Sequence, residues 1–77
     1  INNISHLITS VATAGPNLMV IRTKIGAAQQ VALFLDKYSN SGIVGNIGGD
    51  DTVFTATSDK AHQRILGDKI NHLISRS

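Results

Sequence analysis

Near the middle of the chain, Gly48-Gly49-Asp50-Asp51 sets two adjacent carboxylates at a glycine-permitted bend between two apolar, strand-like segments. Carboxylates this close repel each other and favour a cation as neighbour. Adjacent strand residues point to opposite faces, so one acid can serve its own subunit while the other reaches across an interface. A guanidinium meets a carboxylate through two parallel N–H donors and suits such a site better than a plain ammonium. The bland alternative stands beside this one. Gly and Asp are ordinary turn residues, and on composition alone the pair reads first as a hairpin corner.

Gln29 and Asp36 precede the bend and lie seven residues apart, two helical turns, so they share one helix face. They read either as the wet side of the helix or as an amide and a carboxylate able to hold the amino-acid end of a ligand. No catalytic constellation accompanies them. His6 falls in a strand, and His62 and His72 are ten residues apart on the last helix, the wrong spacing for a metal pair. No Ser occupies a nucleophile elbow. The glycine pair is followed by two acids and no Lys, so it repels phosphate rather than cradling it. The reading is a small cationic ligand site, with no enzyme activity and no metal.

These residues must be positioned by a small domain. The 77 residues allow one domain, with 42% hydrophobic residues and no cysteine. A core this small is marginal, and neither disulfides nor thiolate-bound metal can reinforce it, which leaves oligomerisation as the common remedy. The absence of cysteine fits a reducing cytoplasm. The chain opens on Ile1 and is expected to be a piece of a longer protein. It shows no signal-peptide pattern and no apolar run of the roughly 20 residues that a membrane span needs. With a net charge of +2 and scattered basic residues, it carries no stripe for nucleic acid.

The apolar pattern predicts a strand over Asn3–Thr13, with Ile4, Ile8 and Ala12 on one face and Leu7 and Val11 on the other. A Gly15-Pro16 turn leads to a second strand, Leu18–Thr23, apolar on both faces and hairpin-paired with the first. Gly26–Tyr38 reads as a helix burying Ala27, Ala28, Val31, Phe34, Leu35 and Tyr38, stopped by Ser39-Asn40-Ser41-Gly42. Strands follow at Ile43–Ile47 and Thr52–Thr57. Ser58 is the expected N-cap of a last helix whose stripe is Ala61, Ile65, Leu66, Ile70, Leu73 and Ile74, with Gly67 marking a close approach to the sheet. The order β-β-α-β-β-α predicts an α+β, two-layer fold: a four-stranded antiparallel sheet with two helices on one side. A sheet apolar on both faces needs a second cover. The outer face, including some of Leu7, Val11, Met19 and Ile21, is expected to meet another subunit.

Val20-Ile21-Arg22-Thr23, Gly26-Ala27-Ala28-Gln29, Asp36 and Gly45-Asn46-Ile47-Gly48-Gly49-Asp50-Asp51-Thr52, in this order, resemble the C-terminal domain of bacterial arginine repressors over nearly the whole chain. The resemblance implies a DCoH-like ββαββα domain spanning residues 1–77, which forms trimers that stack into a hexamer. It implies L-arginine as corepressor at the trimer–trimer interface, with no other cofactor. Operator DNA would be bound through a separate N-terminal winged helix-turn-helix domain, absent from this chain, in a cytoplasmic bacterial regulator of arginine biosynthesis and catabolism genes. Carried over by residue, Asp50 is expected to pair with the ligand guanidinium, while Asp51, Gln29 and Asp36 orient its α-amino and α-carboxylate groups. The chain departs from the family pattern at Ile25, where Pro is common, at Gly48 for Ala, at Asn46 for Thr, and in a slightly short connection from Tyr38 to Gly42. None of these removes an acidic group. The rival readings are a ligand-blind assembly module, a small dehydratase-like enzyme, which the scattered histidines disfavour, and direct DNA contact, which the absent basic stripe disfavours.

Overall fold

Hairpin chemistry builds the sheet. The computed structural model describes residues 4–38 and 42–75, with Tyr38 described through its backbone. Strands β1 (Ile8–Ala14) and β2 (Leu18–Thr23) form an antiparallel hairpin, turned at Gly15 with φ of 75°. Helix α1 (Ala28–Tyr38) follows, then β3 (Ile43–Gly48), β4 (Thr52–Thr57) and helix α2 (Lys60–Ser75). The strand order is β1-β2-β4-β3, antiparallel throughout, so β2 and β4 pair at the centre. Helix α1 lies over β3 and β4, and α2 lies chiefly over β1. This is the two-layer ββαββα architecture that the apolar pattern predicts.

Several local expectations are corrected. The first strand starts at Ile8, because Ser5–Leu7 closes a 3-10 turn with Leu7 N–H donating to the Ile4 carbonyl at 2.9 Å; Asn3 lies outside the described residues. A bulge between Ile8 and Ser10 resets the alternation, so Val11 pairs with Ile21 on the inner face and Ala12 with Val20 on the outer. A strict period of two fails at that point.

Met19 and Ile21 are 1% and 0% exposed, buried beneath the helices with Val53, Val31, Leu35, Leu66 and Ile70. They form the core and are unavailable as an outer assembly surface. The outward row is Ala12, Val20, Phe54 and Ile47, register partners across all four strands. Phe54 and Ile47 in that row are 48% and 70% exposed, and Val44 at the β3 bulge is 73% exposed.

Helix α2 is capped by Asp59 rather than Ser58. Its carboxylate accepts the His62 N–H at 2.8 Å, and its carbonyl accepts the Gln63 N–H at 3.0 Å. The helix then buries Gln63, Leu66 and Ile70, leaving Ala61 and Ile65 exposed. Gln63 belongs inside because its amide donates to the carbonyls of Gly15 and Leu18, at 2.7 and 3.0 Å, tying α2 to the first hairpin. A Cβ at Gly67 would lie 3.3 Å from Met19 Cε, the close approach that this glycine predicts. The turn at Ser39-Asn40-Ser41 lies outside the described residues; Gly42, next to it, has φ of 83°.

Candidate functional site

The Gly49–Asp51 bend is closed by Gly49 N–H donating to the Thr52 carbonyl at 2.9 Å. Its backbone is fastened to the start of α1. The Asp50 carbonyl accepts the N–H groups of Gly26 and Ala28, at 3.0 and 3.2 Å, and the Asp51 carbonyl accepts that of Thr23 at 2.8 Å. Helix N-termini leave N–H groups without helical partners, and Asp50 supplies the acceptor for Ala28. Gly26, at φ 83°, turns the chain into the helix, which begins at Ala28 rather than at Gly26 itself.

Gly48 explains one departure from the family pattern. A Cβ there would lie 2.9 Å from the Ala28 carbonyl oxygen and 3.2 Å from Gln29 Cα. Only a bare backbone lets β3 pass this close to the first turn of α1. Gln29 is thereby held beside the acidic bend.

The two acids have different surroundings. Asp51 is half-buried. Its Oδ2 lies 3.6 Å from the Arg22 guanidinium and its Oδ1 accepts the Thr52 hydroxyl at 3.0 Å. Asp50 is exposed, and among the described residues its carboxylate has no ion-pair or hydrogen-bond partner.

Asp36 stands two turns further along α1, about 10.5 Å from Gln29 at the helical rise per residue. Its Oδ1 accepts from the Asn46 amide at 2.7 Å. Gln29 and Asp36 are both exposed, and Leu33, 57% exposed, lies between them on the same face. The structure therefore brings Gln29, Asp50 and Asp51 to one end of a strip along α1 and sets Asp36 at the other. The Asn46 tie to Asp36 and the Arg22 partner of Asp51 are contacts that the apolar pattern and motifs do not reveal. The departure from Thr at position 46 was the available signal for the first.

Beside the bend, on the outer sheet face, Ile47, Gly48, Gly49, Thr52 and Phe54 line an open depression of about 380 Å³. Among the described residues no group of three or more His, Asp or Glu is placed to hold a metal ion. No helix among them is long and apolar enough to cross a membrane.

Residues 4–72 match the family model described as arginine repressor, C-terminal domain. The chain belongs to the arginine repressor C-terminal domain family. It is 50% identical over 56 residues to the arginine repressor of Bifidobacterium adolescentis, covering 73% of this chain and 32% of that protein. It is 38% identical over 66 residues to the arginine repressor of Alkaliphilus metalliredigens, covering 86% of this chain and 44% of that protein. A third arginine repressor, from Caldicellulosiruptor bescii, is 42% identical over 60 residues, covering 78% and 40%. The chain thus spans less than half the length of these repressors. The acidic bend, Gln29 and Asp36 all lie within the part that matches the arginine repressor family model.

Proposed function

We propose that this arginine repressor C-terminal domain senses L-arginine and couples its binding to assembly, within a regulator of arginine metabolism genes. The supporting observation is the exposed Asp50 carboxylate, without a counter-charge among the described residues, next to Gln29 at one end of the α1 strip. Arginine has a cation at each end of a methylene stem. Asp50 would take the guanidinium through paired hydrogen bonds. Asp36, at the far end of the strip, would hold the α-amino group, Gln29 and Asp51 would add polar contacts at the Asp50 end, and Leu33 would cover the stem. No other cofactor is required, since this role is recognition and involves no reaction.

The chain would assemble as trimers that pair into a hexamer, with arginine between trimers. The outward row of half-buried Val20 and exposed Phe54 and Ile47 supplies apolar surface for contact between copies. Acidic bends brought together at a shared interface repel each other, and a bound guanidinium relieves that repulsion. A ligand held by two trimers binds the hexamer more tightly than it binds its parts, so arginine and assembly reinforce each other by linkage. Operator DNA would be contacted by a separate N-terminal winged helix-turn-helix domain of a cytoplasmic protein, with this domain setting the spacing of the DNA-binding units.

Sedimentation velocity with millimolar L-arginine, against L-lysine and no ligand, tests this reading. A shift to hexamer, or a tighter hexamer, with arginine alone is expected. Asp50→Asn should weaken arginine binding about ten- to hundredfold by calorimetry while leaving the melting temperature nearly unchanged. Unchanged arginine affinity in that variant removes Asp50 from the site. An identical oligomer in all conditions, with no heat of arginine binding, leaves a ligand-blind assembly module.

A further inference from the structure

An exposed aspartate on a helix surface samples several rotamers, and fixing it costs conformational entropy when a ligand binds. Asp36 is held in advance. The Asn46 amide of β3 donates to its Oδ1 at 2.7 Å. That amide is oriented from its other side, where the Thr55 hydroxyl of β4 donates to Asn46 Oδ1 at 2.5 Å. Thr55 is 0% exposed and is the register partner of Asn46 on the inner face of the sheet.

The direction of the relay follows from chemistry. An ionised carboxylate only accepts, so Asn46 must turn its NH₂ toward Asp36 and its carbonyl oxygen toward Thr55. The hydroxyl can only donate to that oxygen. A third contact, from the Asn46 amide to the Ala32 carbonyl at 3.5 Å, adds little. Three elements thus fix one carboxylate, and among the described residues Asp36 Oδ2 has no hydrogen-bond partner, which leaves its lone pairs for a ligand.

We infer that Asn46, oriented by Thr55, is a positioning residue that presets Asp36 as the acceptor for the α-ammonium of the bound amino acid. This rests on the arginine-sensing reading above. Asp50 and Asp36 stand at opposite ends of the α1 strip. If the acid without a counter-charge takes the guanidinium, the ligand's remaining cation falls to Asp36. A carboxylate tethered in advance loses less freedom on binding than a free one.

Calorimetry with two ligands tests this: L-arginine, and 5-guanidinopentanoate, which keeps the guanidinium, the stem and the carboxylate but lacks the α-amino group. Asn46→Ala should weaken L-arginine binding about tenfold and change affinity for the desamino analogue less than about twofold. Thr55→Val removes only the orienting hydroxyl. It should give the same ligand-selective loss, smaller in size, and it decides the matter if Asn46→Ala does not fold. Equal losses for both ligands, or no loss for either, would overturn the inference while leaving arginine sensing intact. A wild-type chain that takes up no L-arginine would overturn the proposed function and this inference with it.

Discussion

Asp50 and Asp51 are adjacent in the chain, yet their oxygens meet different groups. The Arg22–Asp51 pair is about half exposed on both sides, and solvent screens it. Asp51→Asn should therefore cost less than about 1 kcal/mol of stability, measurable by urea titration. A third acid, Asp59, acts on the fold instead. The His62 main-chain N–H, and after it the His62 ring, hold the Asp59 carboxyl below the usual carboxylate range. A depressed pKa stabilises the folded state at pH values above the unfolded group's titration, about 3.9. That contribution is lost as pH falls from there through the folded value. Melting temperatures of wild type and Asp59→Ala should differ at pH 7 and converge on acidification below about pH 4.

At the scale of elements, short polar ties and bare backbones dock the helices on the sheet. Gly42 has φ of 83°, and a Cβ there would run into the His62 ring and Cβ of α2. Its carbonyl also accepts the Ser58 N–H at 2.8 Å, joining the start of β3 to the approach to α2. Gly42→Ala should destabilise by about 1–2 kcal/mol for the backbone alone, with the collision added. Gln63 performs the matching task at the first hairpin. Gln63→Ala strips the Gly15 and Leu18 carbonyls of their side-chain donor and should cost about 1–3 kcal/mol in chemical denaturation.

For the whole molecule, a 77-residue chain sets an apolar row across the outer face of its sheet. A face of this kind gains by being covered, at roughly 25 cal/mol per Å² of apolar surface removed from water. Phe54→Asp puts a charge at the middle of the row. It should lower the sedimenting mass while circular dichroism stays that of the wild type, because Phe54 faces away from the helices. Retention of the wild-type mass would move the assembly surface elsewhere.

Element order, layer count and the acidic bend were legible in the chain alone. Apolar spacing distinguishes strand from helix, and glycine with aspartate punctuates turns, both local properties of the chain. The motifs from Val20 to Thr52 carried the family as well. Which face each residue occupies was decided only in three dimensions. The bulge after Ile8 inverted the expected faces of β1, and β2 turned Met19 and Ile21 toward the helices. Helix α2 turned the polar Gln63 inward and the apolar Ile65 outward, because two carbonyls of a distant hairpin needed a donor. The same holds at the candidate site. Gln29, Asp36, Asp50 and Asp51 were legible as residue types at telling spacings, but their separation into an acidic-bend end and a tethered far end depends on Gly48 and Asn46. Those contacts join positions far apart in the chain, and only packing α1 against β3 brings them together.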